Sequence, residues 1–345
     1  MKIHILVNDG SPREVTMKSI WGDGIQVGVG GAELGLLTMC EAWHNAGHEV
    51  VLFNDPREAG ASPFEQRGIG AFDPNEKRDV LIIFRSPNLR IIGAKADLKV
   101  WWSTDQFTVG DFGAFRPLVD KVVTISPFHD EHFKTTYNIR DSIAIDLPVR
   151  VQDYEGKDDT KVKNRFIFTS VPARGLDIML DIWPRIYREV PDASLTITSD
   201  YRLWGAHLGM GNEQFIAKAM KLEGIRFLSA VPRARLIEEQ LRGEINLYTC
   251  VYDELFCIAV AESQVAGVYP VTSEFGALRS TNMGMIIRLD PRDSTAKKMY
   301  ADEAISALEK IHNGEIDIVE FRKKAIDRFH PNTILKEWNE KVFNG

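Results

Sequence analysis

The stretch from Glu254 to Gly276, ELFCIAVAESQVAGVYPVTSEFG, combines a helix pattern and a strand pattern with two carboxylates. The apolar run 255–261 predicts the first two turns of a buried helix, and 268–272 predicts a short buried strand that ends in a polar turn. On a helix of about 3.6 residues per turn, Glu254 and Glu262 lie within roughly a quarter-turn of each other. A ligand lying along the helix start would therefore contact both carboxylates.

The start of this helix also predicts an anion site, because unpaired N–H groups and a partial positive charge favour a phosphate there. Carboxylates that hold sugar hydroxyls beside a phosphate are typical of a nucleotide-sugar pocket. The residues alone leave a second interpretation open. In it, Asp253 and Glu254 only cap the helix, and Glu262 lies on a solvated face.

A second stretch predicts a strand over 165–170, a turn over 171–177 and an amphipathic helix through Tyr187, in which apolar residues recur at helical spacing. This order places Arg174 at the mouth of the helix. A guanidinium there can bind a diphosphate through two parallel hydrogen bonds. A solvated turn arginine is the alternative interpretation.

A third stretch lies near the amino end. Residues 2–7 predict a strand, the sequence GVGGAE at 28–33 opens a helix, and 48–53 predict the next strand. Glycines before a helix let backbone amides approach an anion closely. The spacing does not fit the dinucleotide pattern G-x-G-x-x-G, so a purely structural turn stays open.

Together the three stretches resemble retaining glycosyltransferases of the GT-B fold, in particular glycosyltransferase family four. In the E-x7-E region the matching residues are Glu254, Phe256, Glu262, Ala266-Gly267, Pro270-Val271 and Gly276-Ala277. Arg174-Gly175-Leu176 is similar to the lysine-glycine-leucine of the family's donor turn. Gly30-Gly31-Ala32-Glu33 resembles its first-domain glycine loop, which faces the donor diphosphate across the cleft.

The sequence departs from the family in two places. The basic residue upstream of the donor lysine is missing, and Ser170 stands nearby, so Arg233 or Arg235 would have to supply a second cation. The histidine that many members carry near the transferred sugar is also missing. Ser103 or Thr104 occupies its place, and the following Asp105 is the polar candidate for contacting acceptor or donor sugar, with a simple loop cap as the alternative.

The resemblance implies transfer of a glycosyl group from a nucleotide diphosphate sugar to an acceptor hydroxyl with retention of configuration. It implies no metal and no other cofactor, because protein cations and a helix terminus stabilise the leaving diphosphate. Glu262 would bind the ribose and Glu254 the donor sugar. The expected catalytic residues are Arg174, Glu254 and Asp105. The expected donor-binding residues are Gly30, Gly31, Ser170, Arg174, Glu254, Leu255, Phe256, Cys257 and Glu262, with the base at Ala230, Val231 and Pro232.

Other polar residues are weaker candidates. Arg85 and Ser86 follow a predicted strand and are expected at the edge of the cleft, and the loop that begins at Asp9-Gly10-Ser11 is expected to form an acceptor-side flap. His129 and His132 have the spacing of a metal pair. Without a third convergent ligand, a position on a helix surface is favoured for both.

Strand and helix signals alternate along the whole chain, which predicts parallel sheets with helices on both faces. The expected fold is α/β, a GT-B pair of doubly wound Rossmann-like domains facing a cleft, with ligands at the carboxyl ends of the strands. Residues 1–150 form the acceptor-side domain, 151–163 a linker and 164–330 the donor-side domain. By the same resemblance, a helix in 331–345 returns to the first domain.

Composition excludes several classes of protein. The 345 residues are 44% hydrophobic and 26% charged, which suits a two-domain enzyme, and the net charge of −7 gives no general attraction to nucleic acid or anionic membrane. Three cysteines without a CxxC pair, no signal-peptide pattern and no membrane-spanning apolar run predict a cytoplasmic protein with no integral membrane segment. The G-x-S-x-G elbow of serine hydrolases and the P-loop of kinases are absent from the sequence.

The acceptor stays open between a glycan, a small molecule and modified DNA, the last as in compact viral GT-B enzymes. A nucleotide-sugar epimerase or a glycogen-type phosphorylase shares the fold, but the former lacks the E-x7-E pattern, and the latter is longer and needs a pyridoxal lysine. A non-catalytic nucleotide-sugar-binding protein is the alternative from another class. It is favoured if the missing histidine and basic residue abolish turnover.

Overall fold

The computed structural model describes residues 1–7, 14–22, 27–58, 60–105, 110–204 and 211–345. Their contacts divide the chain into two compact units. The first unit comprises Met1–Ile20, Val29–Pro148 and His330–Gly345, and the second comprises Trp21–Gly28 and Val149–Phe329.

The first unit is built on a parallel sheet with the strand order β3-β2-β1-β4-β5-β6-β7. Its strands among the described residues are β1 Lys2–Val7, β2 Glu49–Phe53, β3 Glu65–Arg67, β4 Val80–Phe84, β5 Leu98–Trp102, β6 Lys121–Thr124 and β7 Ser142–Ala144. Every residue of β4 is buried, as expected for a parallel strand covered on both faces. The strand at 65–67 was not predicted, because its polar sequence EQR carries no apolar signal.

Helices cover this first sheet: α1 Gly31–Asn45, the short α2 Phe112–Phe115 and α3 Pro127–Tyr137. The C-terminal helix Pro331–Trp338 belongs to the same unit and packs on α1. The ring of Trp338 lies 5.2 Å from the rings of both Trp43 and Trp102, at steep angles. Three buried indoles therefore fix the end of the chain to this unit.

The second unit carries a parallel sheet in the order β10-β9-β8-β11-β12-β13. Its strands are β8 Arg165–Phe168, β9 Ser194–Ile197, β10 Ile225–Phe227, β11 Ile245–Tyr248, β12 Tyr269–Ser273 and β13 Met285–Ile287. Its helices in the described residues are α4 Leu176–Glu189, α5 Glu213–Ala219, α6 Arg233–Arg242, α7 Ile258–Val265, α8 Leu278–Thr281, α9 Ser294–His312 and α10 Ile318–Phe329. The two parallel sheets with their helices confirm the predicted Rossmann-like architecture.

A left-handed residue directly precedes two helices. The helix predicted after the turn at 171–177 begins at Leu176, directly after Gly175 with φ 97°. The helix predicted from the apolar run 255–261 begins later than expected, at Ile258, since Cys257 has φ 72°. A left-handed residue cannot continue a right-handed helix, and it re-aims the chain just before the first turn.

The turn between β8 and α4 is held tightly against the end of β11. A Cβ atom built on Gly175 would lie 2.2 Å from the carbonyl oxygen of Thr249, and the Thr249 hydroxyl donates to the Gly175 carbonyl at 2.9 Å. Only glycine allows both the left-handed backbone and this close approach. The position of the turn is therefore fixed by the neighbouring strand.

We expect Gly175→Ala to be far more destabilising than Gly156→Ala. Gly156 is also left-handed, with φ 66°, but an added Cβ there meets nothing within 4 Å. Its alanine variant should lose only the backbone term of about 1–2 kcal/mol. The Gly175 variant should lose roughly 4 kcal/mol or more, because a packed strand must move. Urea unfolding of both variants measures the difference, and equal losses would contradict the close approach.

Candidate functional site

Three neighbouring strands of the second sheet, β8, β11 and β12, end at one edge and bring their turns together. The turn after β8 carries Ser170 and Arg174, and the turn after β11 carries Tyr252 and Glu254. Glu254 forms an isolated parallel bridge with Gly276, beyond the end of β12. This edge is the candidate site of the second unit.

Arg174 and Glu254 are in direct contact. Arg174 Nε lies 3.1 Å from Glu254 Oε1, and the exposed fractions of the two side chains are only 16% and 12%. The guanidinium carbon lies 3.5 Å from the centre of the Tyr252 ring. A mostly buried ion pair and a cation–π contact thus hold the arginine that the sequence assigns to the diphosphate.

Burial dominates the protonation chemistry of this pair. It raises the pKa of the Glu254 carboxyl, and the Arg174 charge only partly offsets that effect. Burial alone would lower the pKa of Arg174, but the Glu254 carboxylate together with the nearby Tyr248, Cys250 and Tyr252 groups outweighs it, so the pKa of Arg174 is raised and the cation persists. The site therefore keeps a fixed positive charge at the edge of the sheet.

Tyr248, the last residue of β11, was not predicted as a site residue. Its hydroxyl lies 2.7 Å from Glu254 Oε1 and 3.2 Å from Ser170 Oγ. Burial raises the pKa of Tyr248 well above its ordinary value, so the phenol stays protonated and can donate to the carboxylate. The signal in the sequence was a tyrosine at the end of the short strand INLY, which packing explains equally well.

The glutamates do not share a helix face, so the spacing argument was wrong for Glu254. Glu254 lies before α7, and the three predicted donor residues Leu255, Phe256 and Cys257 are buried ahead of its first turn. The capping interpretation was also wrong, because the N-cap of α7 is Cys257, not Asp253 or Glu254, and it forms no side-chain cap hydrogen bond. Glu262 lies inside α7 and is only 4% exposed, which contradicts the solvated-face alternative.

Glu262 belongs to a separate buried network. Arg233 Nη1 donates to Glu262 Oε1 at 2.8 Å, and Arg233 Nε donates to Asp153 Oδ2 at 2.7 Å. Asp153 lies in a short buried turn of 3-10 helix, Val151–Tyr154, within the stretch that the sequence assigns to a linker. Burial opposes the charge of Arg233, but the nearby Glu262, Tyr154 and Asp153 groups outweigh it and raise the pKa of Arg233.

The two arginines considered as a second diphosphate cation are both held by carboxylates. Arg233 is 5% exposed and contacts Asp153 and Glu262. Arg235 contacts Glu238 at 2.8 Å and also pairs with Glu239, both on its own helix α6. Of these three arginines, Arg174 is the one that lies in the turn after β8, where it contacts Glu254.

The predicted base turn Ala230–Pro232 precedes α6 and is supported by a buried acid. The Ala230 N–H donates to Asp200 Oδ2 at 3.3 Å, and Arg202 Nε donates to the same oxygen at 2.7 Å. Burial alone would raise the pKa of Asp200, but these donors outweigh it and the pKa is lowered. Asp200 was not predicted as a site residue, because a lone Asp after a strand has many structural explanations.

In the first unit, Gly30 and Gly31 lie at the start of α1, where Gly30 is the N-cap. Glu33, in the first turn of the helix, forms a buried ion pair with Arg85, which follows β4. Arg85 has a left-handed backbone with φ 65°, and Trp101 Nε1 donates to its carbonyl oxygen at 2.8 Å. Ser86, the other predicted edge residue, is also buried.

Asp105 lies beyond β5 and is half-buried, and its carbonyl accepts a 3.3 Å hydrogen bond from the Ser103 hydroxyl. Thr104 beside it is buried. The expected flap at Asp9-Gly10-Ser11 lies outside the described residues.

His129 is not on a helix surface, contrary to the sequence-based expectation. It is completely buried in the first turn of α3, where its ring lies 4.8 Å from that of Phe133. Burial, with a smaller contribution from His132, lowers the pKa of His129 to about 3. Across the described residues, no group of three His, Cys, Asp or Glu side chains is arranged to hold a metal ion.

Solved structures with the GT-B fold share the architecture of this chain. AviGT4, a glycosyltransferase involved in avilamycin A biosynthesis, matches with a TM-score of 0.68 at 16% identity over 98% of this chain and 96% of that one. Sucrose-phosphate synthase from Thermosynechococcus elongatus gives 0.70 at 13% identity over the full length of both chains. Anabaena HepE in complex with UDP-glucose gives 0.69 at 13% identity, again over both full lengths. The chain thus has the GT-B fold of two Rossmann-like domains.

At the sequence level, the phosphatidyl-myo-inositol mannosyltransferases of Mycobacterium tuberculosis and Mycobacterium bovis are 28% identical over 144 residues, or 40% of this chain. That match spans 35%, about a third, of the length of these curated relatives. A scan against profiles of known protein families gives no match. Within the described residues, no helix has the length and apolar character needed to cross a membrane.

We expect His129→Asn to make the protein less sensitive to acid. The folded-state pKa of about 3 lies below the ordinary histidine value, so the unfolded chain takes up the proton first. Proton uptake by the unfolded chain does not affect stability above about pH 6.5. Below that pH it lowers the free energy of unfolding by about 1.4 kcal/mol per pH unit, down to the folded-state pKa. Asn cannot take up that proton, and its amide oxygen can replace the ring nitrogen that accepts from the Ile125 N–H.

The measurement is the free energy of unfolding of both proteins at several pH values between 7 and 4. The variant should show the shallower loss over this window, because the other titrating groups are common to both. Parallel curves would mean that His129 is not the buried neutral group described here.

Proposed function

We propose that this chain is a glycosyltransferase that moves a sugar from a nucleotide diphosphate sugar to an acceptor hydroxyl with retention of configuration. The observation that carries the proposal is the Arg174–Glu254 pair at the carboxyl edge of the second sheet. It places a cation suited to a diphosphate against a carboxylate suited to sugar hydroxyls. The GT-B fold, the mannosyltransferase names of the curated relatives and the UDP-glucose complex of HepE support it.

Arg174 has the chemistry that a leaving diphosphate requires. Negative charge grows on the diphosphate as the glycosidic bond breaks, and a cation already held in place stabilises that charge without reorganising. Glu254 and Tyr252 hold the guanidinium in this position. A turn fixed by Gly175 therefore supplies the electrostatic part of catalysis.

Glu254 is the group that would orient the donor sugar. Its Oε1 receives the Tyr248 hydroxyl and faces Arg174, so the carboxylate is fixed on the protein side. Sugar hydroxyls can donate to such a carboxylate in charge-assisted hydrogen bonds. Glu262 would bind the ribose hydroxyls in the same way, and Ala230–Pro232 would contact the base.

The remaining assignments follow the same proposal. Gly30 and Gly31 at the start of α1 would contribute backbone amides to the diphosphate, and Asp105 would contact the acceptor or the transferred sugar. Residues 164–330 would carry the donor and 1–150 the acceptor, which is a glycan or a small molecule. The protein would act in the cytoplasm.

The proposal predicts that one nucleoside diphosphate sugar stabilises the protein and is turned over. UDP-, GDP- and ADP-sugars are screened by thermal shift, and sugar transfer and donor hydrolysis are then measured with the best donor. Arg174→Ala should lower kcat by roughly 100-fold or more, since one preorganised charge is lost. Arg174→Lys should retain part of the activity, because it keeps the charge but not the fork geometry.

Arg188→Ala is the matched control, since Arg188 lies at the other end of α4 and its side chain is 69% exposed. It should leave kcat unchanged. Donor binding without any transfer or hydrolysis would instead identify a non-catalytic nucleotide-sugar-binding protein. Binding of no nucleotide sugar at all would refute the proposal.

We also expect the activity to persist in a chelator. Arg174 and the backbone amides before α1 and α7 would neutralise the diphosphate, so no divalent cation is required for the leaving group. Transfer is measured in EDTA and again after addition of Mg²⁺ or Mn²⁺. Complete loss in EDTA with recovery on adding either ion would overturn the metal-independent mechanism while leaving the transferase assignment intact.

A further inference from the structure

Arg233 joins three separate segments of the second unit around one buried guanidinium. It is the first residue of α6, and its nitrogens contact Glu262 on α7 at 2.8 Å and Asp153 in the turn at 151–154 at 2.7 Å. The exposed fractions of the three side chains are 5%, 6% and 3%. The proposed reaction gives this arginine no role.

The surroundings of the guanidinium make direct contact with a ligand unfavourable. Two of its nitrogens are bound to carboxylates, and the third, Nη2, is shielded from solvent and has no hydrogen-bond partner among the described residues. A guanidinium enclosed in this way interacts with the carboxylates that bind it, here Glu262 and Asp153. Arg233 therefore works through Glu262.

The network also explains how a glutamate can be buried inside α7. An unpaired carboxylate is costly to bury, and it becomes stable when a hydrogen-bonded cation neutralises it. Arg233 supplies that cation. On the other side of its guanidinium, Asp153 also contacts Arg150 Nε at 3.2 Å, so the network holds two arginines and two carboxylates. With one Glu262 oxygen fixed by Arg233, the orientation of the carboxylate is set before any ligand binds.

The placement of Arg233 in the chain adds a second constraint. It directly follows Pro232, the last residue of the turn assigned to the base, and Pro232 is the N-cap of α6. A single arginine therefore ties the base turn to the carboxylate assigned to the ribose. The base and the ribose of one nucleoside are covalently joined, so their binding groups must keep a fixed separation.

We propose that Arg233 is a positioning residue that fixes Glu262 for recognition of the ribose hydroxyls, with Asp153 anchoring the other side of its guanidinium. The inference rests on the proposed function and names the determinant of ribose recognition within it. It predicts that loss of Arg233 removes the preference for a ribonucleotide over its deoxy counterpart. A purely structural arginine would lower stability without changing that preference.

The test measures dissociation constants by calorimetry for the best-binding diphosphate among UDP, GDP and ADP, and for its 2′-deoxy and 3′-deoxy forms. The wild type should prefer the ribonucleotide over at least one deoxy form by about tenfold or more, the worth of a hydrogen bond to a charged group. Arg233→Gln should bring this ratio to within about threefold of 1, because Glu262 then loses its fixed orientation. Glu262→Ala should do the same, because the carboxylate itself is lost. Binding of the deoxy form that the wild type discriminates against should change little in both variants.

Arg235→Gln is the matched control, since Arg235 lies two residues further along α6 and pairs with Glu238 and Glu239 instead. It should keep the wild-type ratio. A wild-type ratio retained in Arg233→Gln overturns the inference, even if its melting temperature falls. A wild-type ratio near 1 for both deoxy forms also overturns it, because Glu262 would then not read the ribose.

Two further variants keep the test decisive if Arg233→Gln does not fold. Asp153→Asn removes the anchor but leaves Arg233 and Glu262 in place, and it should lower the ratio by a smaller factor. Arg233→Lys keeps the positive charge but not the forked guanidinium geometry. It should retain more of the preference for the ribonucleotide over its deoxy form than Arg233→Gln does. Unchanged ratios in both refute the inference. Failure of the proposed function is read separately, as absence of sugar transfer by the wild type.

Discussion

The position of the Gly175 turn is fixed by its close contact with the backbone at the end of β11. The Cβ position of Gly175 is occupied by the Thr249 carbonyl, so the turn after β8 can sit in one place only. That place sets Arg174 against Glu254, and it delivers the chain in the conformation from which α4 starts. The site's cation, its carboxylate and the orientation of α4 depend on the absence of one methyl group.

The charge clusters around Arg174 and Arg233 differ in how far they are open to solvent. At Arg174 the ion pair is partly open, with 16% and 12% of the side chains exposed, so a ligand can exchange contacts with it. At Arg233 the pairs are closed, with exposures of 5% and 6% for Arg233 and Glu262. A partly open pair suits a group that must meet changing charge during a reaction. A closed pair suits a group whose position must not change, because breaking it would leave a buried charge uncompensated.

The sequence predicted the sheets well, because long apolar runs between turn signals are strong local signals. The strands predicted over 165–170 and 268–272 are present as β8 and β12 within two residues of their predicted ends. The missed strand β3 has three polar residues, and its pairing with β2 comes from tertiary contact alone. The left-handed conformation of Cys257 was likewise not readable, since non-glycine residues rarely adopt it and only the surrounding packing can impose it.

The candidate site was predicted in part for a reason that the structure corrects. Glu254 and Glu262 were singled out as neighbours on one helix face, but Glu254 precedes α7, and the left-handed Cys257 breaks the helical register between them. Each glutamate is instead held by its own arginine, from the turn after β8 and from the start of α6. The chain between the two glutamates therefore runs from the edge of the sheet, where Glu254 forms a bridge with Gly276, to the second turn of α7, where Glu262 lies. Local periodicity singled out the two glutamates, whereas the arginines that contact them come from segments distant in sequence and are brought to them only in the folded chain.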